Sequence, residues 1–206
     1  MKKITLAAVV IASLVGSSAS FAGGTGWYAL GSVGQTTSNN SDKAQLDSVI
    51  TGLGGVGFSS SLSTPTAYRL QAGYQVNDNF AVEGGYLGLT NSSYSASGGN
   101  IIGSITASGK ADGWNLTAVG IVPVAEQFSL LGKLGAANIS TTATVTAGGA
   151  SLSTSGSKTD LTYGIGAKYD INKAVFARFD LDNFKGGANG SYSRKTIWTF
   201  GLGYNF

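Results

Sequence analysis

Eight segments of this chain alternate between apolar and polar residues, and no charged residue enters any of the eight apolar rows. Tyr68, Leu70, Ala72, Tyr74 and Val76 stand against Arg69, Gln71, Gly73 and Gln75, which is the period of a β-strand, where successive side chains point to opposite faces. After the turn residues Asn77, Asp78 and Asn79 the pattern resumes with Phe80, Val82, Gly84 and Tyr86, so the two rows predict an antiparallel hairpin. Similar rows begin at Trp27, Trp114, Phe128, Leu161, Val175 and Trp198. The opposite rows hold Arg69, Glu83, Lys133, Lys168, Arg178, Asp180 and Asp182.

A soluble sandwich buries its apolar rows, whereas a membrane barrel turns them to lipid and keeps polar groups inside. Loop lengths favour the barrel: the connections at residues 77–79, 123–127 and 172–174 are short, and those at 36–66, 90–110, 138–159 and 183–195 are long. Outer-membrane barrels show this asymmetry between periplasmic turns and extracellular loops. Aromatic residues gather at the two ends of the rows, with Tyr68, Tyr86, Trp114, Tyr163 and Trp198 at one end and Trp27, Tyr74, Phe80, Phe128, Tyr169 and Phe206 at the other, as two interfacial girdles require. The predicted fold is all-β, an eight-stranded antiparallel transmembrane up-and-down β-barrel. Setting the Gly148-Gly149 pair at a hairpin apex places Lys133 opposite Gly164 and Leu134 opposite Tyr163, polar with polar and apolar with apolar.

Composition narrows the chemistry. The 206 residues include no His and no Cys, which removes Ser-His-Asp and Cys-His catalysis, His- or Cys-based zinc sites and disulfides. Asp180 and Asp182 share a face, but a small lumen has no room for a sugar between them, so the chain is expected to be no enzyme and to carry neither cofactor nor metal. Residues 1–22 read as a signal peptide: Lys2 and Lys3 precede a mostly apolar stretch at 4–15 and the small residues Ser20 and Ala22. Residues 23–206 are then the barrel. Without Lys2 and Lys3 the balance of 13 basic against 10 acidic residues nearly closes, which leaves no electrostatic support for nucleic-acid binding.

Residues 74–86, 116–124 and 166–180 resemble the OmpA-type outer-membrane barrel, and so does the end of the chain. Trp198, Phe200, Leu202, Tyr204 and terminal Phe206 are similar to the C-terminal signal read by the outer-membrane assembly machinery in such proteins. The resemblance implies a bacterial outer-membrane location and contact with outer-membrane lipid and lipopolysaccharide. It does not extend to the periplasmic peptidoglycan-binding domain of the best-known members. By the same resemblance, Glu83, Lys133, Arg178 and Asp180 occupy positions of an internal charge network. Val119 stands where the family often has a base and Lys168 where it often has an acid, so the family's charge gate is not reproduced.

Physically, a three-residue turn at 172–174 sets Lys168 opposite Arg178, with Asp180 as the diagonal neighbour expected to compensate both. Arg69 joins this expected lumen network of Arg69, Glu83, Lys133, Lys168, Arg178 and Asp180. Eight strands enclose a lumen that side chains can fill, which favours a structural and surface-display role, adhesion included; the alternative is a narrow channel for ions or small solutes. Truncating Arg178 is then expected to open a gap and raise conductance. In the first long loop Leu46, Val49, Ile50 and Leu53 follow Asp42 at helical spacing and predict a short helix over 42–51. These loops are where a host or other cell-surface partner would bind.

Overall fold

The computed structural model describes residues 25–37, 40–188 and 191–206; the expected signal peptide at 1–22 lies outside the described residues. Alternation and turn chemistry produce β1 (Gly26–Thr36), β2 (Ser59–Leu62), β3 (Thr66–Asn77), β4 (Phe80–Gly98), β5 (Ile101–Ala125), β6 (Phe128–Ala147), β7 (Ala150–Asp170), β8 (Val175–Ala188) and β9 (Ser191–Asn205), with one helix, α1 (Asn40–Gly52). Every strand but β2 pairs antiparallel with its neighbours around a closed ring, in the order β4-β3-β1-β9-β8-β7-β6-β5 and back to β4. The first and last strands close it, from Tyr28 opposite Asn205 to Thr36 opposite Ile197. Closure leaves no open edge at membrane depth, which is the condition for strands to cross lipid.

The predicted faces hold: outward Ile165 is 64 % exposed and Leu70 54 %, whereas inward Glu83 is 0 % and Arg178 3 % exposed. An apolar surface in contact with solvent-accessible space and a charged interior are the inversion expected of a protein whose solvent is lipid. Girdle residues meet across strands, with Tyr86 opposite Trp114, Phe128 opposite Tyr169, and Trp27 packed edge-on to Tyr74 at 5.2 Å. The lumen is polar only at mid-height, contrary to a uniformly polar filling. Tyr28, Leu30, Val119, Ile121, Leu131 and Phe176 form an apolar layer towards the short turns, and Ala67, Leu87, Ala137, Ile139, Phe184 and Ile197 form another towards the long connections.

The β6–β7 register is the expected one, with Lys133 opposite Gly164 and Thr146 opposite Ser151. At its tip Gly148 and Gly149 have φ of 56° and 84°, the paired left-handed conformations that a two-residue hairpin turn matched to strand twist demands. The long connections prove to be largely strand. β5 has 25 residues, and at ~3.3 Å per residue it runs roughly three times the height of a ~25 Å lipid band. Beyond the membrane the strands fan into a sheet in which β2 continues the line of β3 and pairs Ser59–Leu62 with residues 94–97 of β4. Pro65 lies in the break between β2 and β3 and has no N–H to offer a ladder.

Helix α1 exceeds the predicted 42–51 by a residue or two at each end. Ile50 is buried with Tyr94 and Ala96, and Leu46 packs against them, while Val49 and Leu53 face outward at 60 % and 82 % exposure. Polar clamps hold the helix down: Tyr94 Oη donates to Asp47 at 2.5 Å, and Lys43 Nζ donates to Asp47 at 2.6 Å and to Ser60 Oγ at 2.5 Å. The hydrogen bond from Lys43, followed by those from Tyr94 and Ser60, lowers the Asp47 carboxyl from 3.8 to about 2. A depressed carboxylate pKa stabilises the docked helix above the ordinary value, and that contribution is lost as pH falls from 3.8 towards 2. Amide chemical shifts of α1 are expected to titrate over this interval and to stop doing so in Asp47→Asn; identical pH profiles for both would refute the clamp.

Candidate functional site: a charge belt across the lumen

Strand alternation delivers one inward polar residue after another to the same height of the barrel. Arg69 on β3 pairs with Asp182 on β8, and Lys133 on β6 lies 2.9 Å from both Asp182 and Asp180. Asp180 accepts from Arg178 Nε at 3.0 Å. The Arg178 guanidinium then forks onto Glu83 of β4, with Nη2 to Oε2 at 2.9 Å and Nη1 to Oε1. Tyr28 Oη donates to Glu83 at 2.5 Å and Gln71 Nε2 at 3.3 Å. Three cations therefore face three anions in an unbroken chain across the bore, and each of these six side chains is at most 4 % exposed. Buried charges persist only when paired with counter-charges, as all six are here, although Arg69 Nε has no hydrogen-bond partner.

Lumen glycines make the space. A Cβ at Gly73 would sit 2.2 Å from the Tyr28 ring, at Gly164 2.1 Å from Asp182 Oδ1, and at Gly166 2.4 Å from Asp180 Oδ1. Each faces its large neighbour directly across a ladder.

Of the six residues expected in the network, Arg69, Glu83, Lys133, Arg178 and Asp180 meet in the belt. Lys168 does not join it. It stands opposite Arg178 in the register as expected, yet its ammonium turns away to Asp170 at 3.1 Å and lies 5.3 Å from the Phe176 ring centroid. Compensation of Lys168 by Asp180 is thus corrected: Asp180 is already engaged by Lys133 and Arg178. Asp182, Tyr28 and Gln71 were missed as members. Asp182 shares the inward face of Asp180, and glycines opposite a tyrosine and two aspartates were the signal for close inward approach.

Little free space penetrates the belt. A cavity beside Glu83 and Arg178 measures about 10 Å³, the scale of a single water. Larger cavities occupy the two mouths, about 640 Å³ at the end of the short turns and about 320 Å³ at the other. Among the described residues no cluster of His, Cys, Asp or Glu is arranged to hold a metal. On the last strand Trp198, Phe200 and Leu202 project outward at 37 %, 52 % and 54 % exposure, and Tyr204 packs edge-on to Phe206 at 5.3 Å.

The family described as outer membrane protein beta-barrel domain matches residues 5–206. The chain belongs to that family. This outer-membrane barrel is similar in fold to Ail, the attachment invasion locus protein of Yersinia pestis, at 19% identity and a TM-score of 0.52, covering 90% of this chain and 100% of that one. A second structure of Ail, in complex with the heparin analogue sucrose octasulfate, gives 18% identity and a TM-score of 0.50, covering 89% and 99%. The N-terminal β-barrel domain of Pseudomonas aeruginosa OprF aligns at 15% identity with a TM-score of 0.48, covering 89% and 99%. No curated protein sequence matches the chain. The protein is an outer-membrane β-barrel, located in the bacterial outer membrane.

Proposed function

We propose that this barrel is a sealed, non-enzymatic display scaffold whose working surface is extracellular, with adhesion to another cell surface as its role. The observation that carries the reading is the filling of the bore: a neutralised charge belt sandwiched between two apolar layers. Such a lumen stiffens the wall and offers ions no continuous path. Catalysis has no support, since Asp180 and Asp182 are 1 % and 3 % exposed and tied to cations.

Above the membrane, Lys185 and Arg194 flank Asp160 at 3.2 and 3.5 Å, giving the rim a local positive excess suited to anionic groups, lipopolysaccharide phosphates or a sulfated host polymer among them. Adherence of cells displaying the wild type should exceed that of cells whose β4–β5 and β6–β7 hairpins are trimmed to the membrane. Refolded protein in a planar bilayer should conduct little. Equal adherence together with a large steady conductance would replace this reading with the narrow-channel alternative.

The aromatic row Trp198, Phe200, Leu202, Tyr204 and Phe206 is proposed as the assembly signal. Deleting Phe206 removes a girdle residue and its backbone hydrogen bond to Trp27 O at 2.9 Å. Outer-membrane levels are expected to fall while refolding in detergent survives; normal surface levels would remove the signal assignment.

A further inference from the structure

We propose that the part of β7 standing clear of the membrane pairs antiparallel, edge to edge, with the same strand of a second copy of this chain held in a facing membrane. The pairing deepens the adhesion role, on which it rests, by making the other cell surface one that carries the same protein. The β7–β8 ladder ends at Tyr163–Asn183, whereas β6–β7 pairing continues without a bulge to Ala147–Ala150. Among the described residues no strand pairs with the other side of residues 150–159. The far edge of the same extracellular sheet is covered, with β2 laid along residues 94–97 of β4.

Backbone direction tells which residues own the bare edge. Leu161 N–H donates to Asp160 Oδ1 at 2.8 Å and its carbonyl accepts from Arg194 Nη1 at 3.2 Å, while Asp170 N–H points the other way, to Gln127 O. Alternate residues of a strand direct their backbone groups to the same side, so the unpaired N–H and C=O groups are those of Ser151, Ser153, Ser155, Ser157 and Thr159. Natural edges are guarded by charges, Pro or a bulge. Residues 150–157 contain no charge and no Pro, and 150–155 are exposed.

Symmetry and direction select the occupant. A two-fold axis at Thr154 sets Ser151 against Ser157 and Ser153 against Ser155, each pair exchanging two backbone bonds, with serine row on serine row and no like charges opposed. β7 runs from the outside towards the periplasm in every copy, so a neighbour in the same membrane cannot present it reversed. A barrel facing from another cell does. Thr154 lies nine residues from Tyr163 of the girdle, so the girdles of the paired barrels stand ~60 Å apart along the strands, room for both polar headgroup layers.

The test uses the full barrel refolded into two vesicle populations carrying different lipid dyes. Wild-type vesicles should cluster with one another and not with protein-free vesicles; clustering with the latter would make lipid the partner and overturn the proposal. Ser153→Pro removes an N–H that β6 does not use and should abolish clustering; unchanged clustering refutes the edge. The double variants Ser153→Lys, Ser155→Lys and Ser153→Glu, Ser155→Glu should each fail to cluster alone and should cluster when mixed, and a silent mixture refutes the register. Thr154→Cys, in a chain otherwise without cysteine, should cross-link between vesicles on oxidation while Thr142→Cys on β6 does not; equal cross-linking of both would overturn the axis. Silent wild-type vesicles overturn this inference alone if cells still adhere through their hairpins, and the adhesion role with it if they do not.

Discussion

Arg178→Ala is expected to be the most damaging single substitution in the lumen, lowering stability by ~3 to 5 kcal/mol because it strips a buried carboxylate of its counter-charge. Glu83 bears most of the loss. It keeps only the Tyr28 and Gln71 hydrogen bonds, whereas Asp180 retains Lys133 at 2.9 Å. Lys168→Ala should be much milder, since Lys168 is partly exposed and paired at the periplasmic rim with Asp170. Urea unfolding of the three proteins in detergent micelles measures this, and equal midpoints would show that the belt contributes nothing specific. Conductance is now expected to stay low in Arg178→Ala, a change from the expectation drawn from eight strands alone. Removing the guanidinium joins the 10 Å³ cavity to the periplasmic cup, with which it shares Gln75, Lys168 and Asn205, but Phe184 and Ile197 still close the other end. The double variant Arg178→Ala, Phe184→Ala should conduct; a silent double variant would mean that the belt alone does not leave a passage when opened.

Ile165→Arg should cost ~2 to 4 kcal/mol in lipid, the penalty for a cation at the bilayer midplane on the outer face of such a barrel. Ile165 is 64 % exposed and lies between the Tyr163 and Tyr169 girdle positions of β7, two residues from the first and four from the second. Leu130→Arg, one outward position in from the opposite girdle at Phe128, should cost a similar amount. Ser129→Arg should be mildest, since Ser129 turns inward and borders the polar periplasmic cavity. Refolding yields into lipid vesicles are expected to be lower for both outward variants than for Ser129→Arg. Equal yields would contradict the assignment of faces.

The ring was legible in the sequence because two-residue periodicity and the exclusion of charge from one face are direct consequences of a strand lying between lipid and a lumen. Registers were legible too, wherever a glycine pair fixed a tip, as at Gly148-Gly149. Less visible was what each inward side chain reaches for. Lys168 and Arg178 are equivalent by pattern, yet one turns to the rim and the other into the belt, because Glu83, from a strand far along the chain and across the bore, supplies the fork for only one guanidinium. The layers of Phe176 and Phe184 were likewise hidden: both occupy inward positions among polar residues, and only the ring shows that they gather with Leu131 and Ile139 from other strands. Strand β2 falls inside the long connection at 36–66, since four residues pairing with the outer part of β4 carry almost no periodic signal.

Closure of the ring by β1 and β9 carries a kinetic consequence. The ladder from Tyr28–Asn205 to Thr36–Ile197 joins residues on the order of 170 positions apart, about as non-local as a chain of this length allows, and non-local pairings are slow to form. Until they form, β1 and β9 each hold a row of backbone groups that hydrocarbon cannot satisfy. Membrane folding of this barrel should therefore be all-or-none, with its final hairpin as the committing step, and a chain that stalls before β9 should be degraded or rejected instead of persisting as a half-built wall.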